Sequence, residues 1–61
     1  MRFKISESTD GQYYFEIQAG GNYETLATSE TYKRSDKRDV QAAIDQIRRE
    51  AGGADVVNDS Q

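Results

Sequence analysis

The residues of this chain with the greatest capacity for chemistry are four cations in six positions, Lys33, Arg34, Lys37 and Arg38, in a protein whose formal charge is -3. With Tyr14 and Tyr23 as stacking groups, this basic cluster could grip single-stranded nucleic acid through phosphate contacts and base stacking. The plainer reading is that Asp36, Asp39 and Glu30 neutralise most of the cluster, that the tyrosines pack in a dimer, and that the cations are solvated surface at a helix start, as charge runs usually are. The plainer reading is preferred, so nucleic acid stays an alternative partner. Catalysis has little to work with. Histidine and cysteine are both absent, which removes the usual nucleophile and base combinations and leaves carboxylates, hydroxyls, Lys and Tyr. Glu30, between Ser29 and Tyr32, could build a small hydrogen-bonded cluster, but Ser29 and Glu30 satisfying backbone groups in a turn is the preferred account. Asp10, Asp36 and Asp39 match no calcium loop. Gly20-Gly21 and Gly52-Gly53 lack the Walker spacing and its Lys-Ser/Thr, and read as turns. The expectation is no enzyme, no metal and no cofactor.

These side chains must be positioned by a very short polypeptide. With 61 residues and neither proline nor cysteine, the chain is one small domain near the lower limit at which a single core sustains a fold. Small proteins in that position use disulfides, a metal or a second subunit, and the first two lack their residues here. Oligomerisation is what remains. The acidic charge does not draw the whole molecule to nucleic acid or to an anionic membrane, and only three of its eight cations are lysine, a composition suited to a high-salt cytoplasm. The longest apolar run, Tyr13 to Phe15, is far shorter than the roughly 18 residues of a membrane span. Met1 to Ser8 contains no apolar stretch of about 7 residues like that of a secretory signal. A soluble cytoplasmic protein is expected, with no membrane partner.

The central element is Gln12 to Ala19. Tyr13, Phe15, Ile17 and Ala19 share one side of an extended chain and Tyr14, Glu16 and Gln18 the other, the period of a half-buried strand. Arg2 to Glu7 alternates too, with Phe3 and Ile5 inward and Arg2, Lys4 and Ser6 outward, and Asp10-Gly11 supplies the turn of an antiparallel hairpin. Gly20-Gly21-Asn22 makes a second turn, followed by a third strand over Tyr23 to Ser29 with Leu26 as its core residue. From Ser29 to Ser35 the pattern fails, and Tyr32 is expected to anchor this connection. Ser35 is placed as the cap of a helix whose apolar stripe is Val40, Ala43, Ile44, Ile47 and Ala51. Asp45 and Arg49 form an acid-before-base pair on its surface, and Gly52-Gly53 stop it through a left-handed cap. Ala54 to Val57 then reads as a short fourth strand and 58–61 as a polar tail, so that the ordered core is 2–57. The order is β-β-β-α-β, an α+β layer with one helix on one face of an antiparallel sheet.

The combination of FKI near the start, GQYYFEIQAG, LATSETY, the AAIDQIRREA helix and a short terminal strand resembles the YegP-like family of small uncharacterised proteins, from Phe3 to about Val57. The resemblance implies β-β-β-α-β units, in tandem or as two subunits, that share one continuous sheet and exchange their C-terminal strands. For this single unit it implies a homodimer in which Ala54 to Val57 crosses to the partner. Where the family commonly has Asn-Gly before the helix isoleucine, this chain has Ala42-Ala43. That should strengthen the helix, since Gly costs about 1 kcal/mol against Ala in a helix interior. The resemblance brings no ligand or catalytic residue. The expectation is therefore a non-enzymatic homodimeric interaction protein, with the sheet face of Tyr14, Glu16 and Gln18 as its binding surface. The alternative is an accessory single-stranded nucleic-acid binder, and a carboxylate hydrolase comes last.

Overall fold

The structure, a computed structural model, describes residues 1–59. Three antiparallel strands, β1 (Arg2–Glu7), β2 (Tyr13–Gln18) and β3 (Thr25–Thr28), form one sheet in the order β1-β2-β3. A 3-10 turn (Arg34–Asp36), helix α1 (Lys37–Glu50) and a second 3-10 turn (Ala51–Gly53) follow. The expected three-strand sheet followed by one helix is present, and the architecture is α+β.

Alternation in β1 and β2 sets the register. Phe3 pairs with Ile17, Ile5 with Phe15 and Glu7 with Tyr13, so the inner apolar positions of both strands share one face, as the pleat requires. The first hairpin closes as its turn residues dictate. Gly11 takes φ +84°, and the Asp10 carboxylate accepts the Gln12 N–H at 3.2 Å and the Ser8 hydroxyl. Helix α1 lies over β2, burying Phe15, Val40 and Ile44, with Phe3, Tyr13, Ile17, Tyr32, Ala43 and Ile47 packed around them. Tyr32 anchors its connection as expected. It exchanges two backbone hydrogen bonds with Tyr13, at 2.7 and 2.8 Å, and stacks on Phe15 with ring centroids 6.5 Å apart.

Several local expectations are corrected. The third strand is shorter than Tyr23 to Ser29, and Leu26 is 56% exposed rather than a core residue. The register places Ala27, not Leu26, opposite the inner-face Ile17; a bulge between the Ile17–Ala27 and Gln18–Thr25 pairs leaves Leu26 unpaired, and all four residues of this edge strand are exposed. Ser35 does not cap α1. It lies inside the 3-10 turn, and Asp36 occupies the cap position with no side-chain cap bond. Glycines 52 and 53 do not form a left-handed cap, since neither has positive φ; the helix tightens into a 3-10 turn whose Ala54 N–H reaches the Ala51 carbonyl at 3.2 Å. Ala51 keeps helical dihedrals and its N–H reaches the Ile47 carbonyl, yet it is exposed rather than part of the buried stripe. Asp45 accepts the Gln41 amide at 3.0 Å instead of pairing with Arg49.

Within one chain Ala54 to Val57 makes no strand. It has no neighbour to pair with, and Val56 and Val57 stand 96% and 83% exposed. Asn58 and Asp59 are exposed as expected of a polar tail, and the remainder of that tail, 60–61, lies outside the described residues.

Candidate functional site

The helix occupies one face of the sheet, so function falls to the other face or to the rim. The uncovered face carries Arg2, Lys4 and Ser6 from β1, Tyr14, Glu16 and Gln18 from β2, and Thr25 and Thr28 from β3. Its centre is a hydrogen-bonded chain across all three strands. Arg2 Nε donates to Gln18 Oε1 at 2.6 Å, Gln18 Nε2 donates to Thr25 Oγ1 at 3.4 Å, and Thr25 Oγ1 donates to Glu16 Oε2 at 2.8 Å.

Arg2 also lies over the Tyr23 ring, its guanidinium carbon 3.6 Å from the centroid. Together they roof Gln18, which is only 6% exposed although no helix covers it. Of the three residues expected to offer a binding surface, Tyr14 and Glu16 are half-buried and reachable, and Gln18 is not. It is a structural amide whose two polar ends are both engaged, as a buried polar side chain requires.

Tyr23 is held at this position by an unusual backbone. Its φ is +58°, a region that costs a non-glycine residue roughly 1–2 kcal/mol and marks a genuine outlier for a bulky side chain. The loop that holds it is well bonded: Glu24 N–H reaches Asn22 Oδ1 at 3.1 Å, and Ala19 N–H reaches the Glu24 carbonyl at 2.8 Å.

The basic cluster lies elsewhere. Lys33 and Arg34 enter the first 3-10 turn, Lys37 and Arg38 open α1, and all four are exposed. Arg34 reaches Glu7 at 3.7 Å in the only ion pair among the described residues, a solvated contact worth little. Lys37 Nζ stands 5.5 Å from the centroid of the Tyr13 ring. Among the described residues, none of Asp36, Asp39 and Glu30 forms an ion pair with the cluster.

The cluster therefore sits at the end of the sheet where the first hairpin turns, on the side of Tyr13. Tyr14 points to the opposite face. Tyr23 stands beyond the far end of β2, roughly 17 Å away at the usual strand rise. Within one chain, the alternative alliance of these cations with Tyr14 and Tyr23 has its parts on different faces and ends of the sheet.

Ser29 bonds backbone groups, though Ser29 and Glu30 form no turn. The Ser29 hydroxyl donates to the Glu30 carbonyl at 2.8 Å, and the Glu30 side chain is exposed. Among the described residues no group of three or more carboxylates converges as a metal site would require. No described helix is long and apolar enough to cross a membrane. The Asp10 carboxyl is held below the ordinary aspartate range, first by the Ser8 hydroxyl and then by the Gln12 N–H.

Arg2 is the site residue that sequence reasoning passed over. It reads there only as an outward position of the first strand, and its conjunction with Tyr23 depends on a register and a left-handed loop residue that no local pattern encodes.

The family model described as a domain of unknown function, DUF1508, matches residues 8–58. The chain belongs to that family. YegP-like proteins are members of DUF1508, so the resemblance carried by the strand, turn and helix motifs is shown. No curated protein matches the chain. DUF1508 carries no assigned activity, which leaves function to be argued from the surface itself.

Proposed function

We propose that this DUF1508 chain is a non-enzymatic, homodimeric interaction module, cytoplasmic in setting, whose two copies exchange Ala54 to Val57. The observation that supports it is a mismatch between what α1 covers and what the sheet presents. The helix protects β2 but leaves an open groove of about 440 Å³ beside β1, lined by Met1, Phe3, Ile5, Gln41, Ile44 and Arg48. Ile5 is 40% exposed and Met1 76%, although Ile5 lies on the inner face opposite Phe15.

The same chain displays two adjacent valines with nothing to cover them. Burying such side chains contributes about 1.5–3 kcal/mol each, a large gain for a fold this small. Charge complementarity favours the same occupant, since Arg48 stands on the groove wall and Asp55 directly precedes the valines. Exchange of the terminal segment would pair it with a β1 edge that otherwise presents unsatisfied backbone groups.

Light scattering at micromolar concentration tests this, comparing the intact chain with one ending at Gly53. A dimer for the first and a monomer of lower thermal stability for the second support the reading; a folded monomer for both sinks it. The uncovered sheet face around Tyr14 and Glu16 is then the surface left for a partner.

A second reading has one observation in its favour: Lys33, Lys37 and Arg38 have no acidic partner among the described residues. A cluster so exposed could meet the phosphates of single-stranded nucleic acid. Titration of labelled single-stranded RNA at low salt decides it, because phosphate contacts are strongest there.

A further inference from the structure

The open face contains one group whose placement exceeds what the fold needs. Arg2 is exposed, on an outer strand, yet its guanidinium is fixed in two ways. Its Nε donates to Gln18 Oε1 at 2.6 Å, and its plane lies against the Tyr23 ring at 3.6 Å. Gln18, 6% exposed, is in turn bonded to Thr25.

A surface arginine normally spreads over many rotamers and loses that freedom on binding. Here the freedom is already lost. The aromatic partner is held by a tyrosine in left-handed backbone, and strained residues of this kind cluster at ligand clamps. The two terminal nitrogens are left over. Neither has a partner among the described residues. The nearest acid on the face, Glu16, is occupied by the Thr25 hydroxyl and stands opposite Lys4 in the register, so it neither quenches Arg2 nor leaves the face strongly negative.

We propose that Arg2, anchored by Gln18 and backed by Tyr23, is a preorganised binding fork for an oxyanion, a carboxylate or a phosphate group, on the uncovered face of the sheet. The chemistry is that of a planar guanidinium presenting parallel N–H groups to two oxygens, which gives geometric selectivity that a lysine cannot reproduce. The inference rests on the open face being a binding surface; it does not need the exchange of terminal segments, which the light-scattering comparison tests separately.

The test is a pair of titrations, sodium phosphate in one and sodium acetate in the other, each against sodium chloride at matched ionic strength. They are followed by nitrogen-15 correlation spectra that include the arginine Nε–H signals. A saturable shift of the Arg2 Nε–H and the Tyr23 amide, absent with chloride, is expected. Response to phosphate alone, to acetate alone or to both identifies which oxyanion the fork reads. Arg2→Lys keeps the charge and should weaken binding about tenfold, the loss of one charge-assisted hydrogen bond. Tyr23→Leu keeps the fork and removes its backing, and should weaken binding less. The proposal is overturned if chloride gives the same shifts, if saturable shifts occur only at Lys33 to Arg38, or if Arg2→Lys binds as well as the native chain.

Discussion

Ser29 and Phe15 exchange two hydrogen bonds just beyond the end of β3: the Ser29 N–H donates to the Phe15 carbonyl at 2.9 Å, and the Phe15 N–H donates to the Ser29 hydroxyl at 2.9 Å. A side chain thus replaces the carbonyl that a longer third strand would have supplied. Phe15 is buried, and the Ser29 hydroxyl is the acceptor that its N–H uses. Ser29→Ala should destabilise the fold by about 1–3 kcal/mol, the cost of an unsatisfied buried donor. Thermal unfolding followed by circular dichroism measures it, and an unchanged midpoint would show that water satisfies Phe15 instead.

How much of this was legible in the sequence follows from which forces are local. Alternation at Phe3, Ile5, Tyr13, Phe15 and Ile17 fixes the faces of two strands, and the spacing of Val40, Ala43, Ile44 and Ile47 fixes the face of the helix, because burial imposes those periods. Leu26 defeats the same logic, since Thr25 to Thr28 carry too little contrast between faces to show that Ala27, not Leu26, stands opposite Ile17, and the adjoining bulge leaves no local mark. The helix ends are not fixed by local residue types, because 3-10 turns and caps both satisfy the free backbone groups of a helix terminus, and Ser35 and glycines 52 and 53 are compatible with either. The Arg2–Gln18–Thr25 chain joins residues from three strands, so only the assembled register shows it.

Glycine at position 21 is required by backbone geometry alone. Its φ is +84°, and an added methyl would meet nothing within 4 Å. Gly21→Ala should therefore cost about 1 kcal/mol through left-handed strain without any steric clash. Denaturant unfolding would report that cost, and a neutral result would mean that the loop relaxes to a different turn.

The Asp10 carboxyl, bonded to the Ser8 hydroxyl and the Gln12 N–H, has its folded-state pKa lowered. A lowered carboxylate favours the folded state above the unfolded value, about 3.9, and that contribution is lost as pH falls through the folded value. Carbon-13 titration of the Asp10 carboxyl should give a midpoint below the ordinary value, and Ser8→Ala should move it upward. A midpoint unchanged by Ser8→Ala would remove the hydroxyl as the main cause.

Helix α1 buries Ile44, 4% exposed, with Val40 and Phe15 in the core. Ile44→Val should cost about 0.5–1.5 kcal/mol. In a chain with so small a core this lowers the thermal midpoint measurably, whereas Gln46→Ala on the exposed side of the same helix should leave it nearly unchanged.

In the proposed exchange a second copy completes this fold by laying Val56 and Val57 into the groove beside Ile5. The most direct measurement is an isotope-filtered nuclear Overhauser spectrum of an equal mixture of carbon-13-labelled and unlabelled chains. Cross-peaks between chains, from the methyls of Val56 and Val57 to Met1, Ile5 or Ile44, are the predicted result. A spectrum in which those valines show contacts within their own chain only, or none at all, would contradict it.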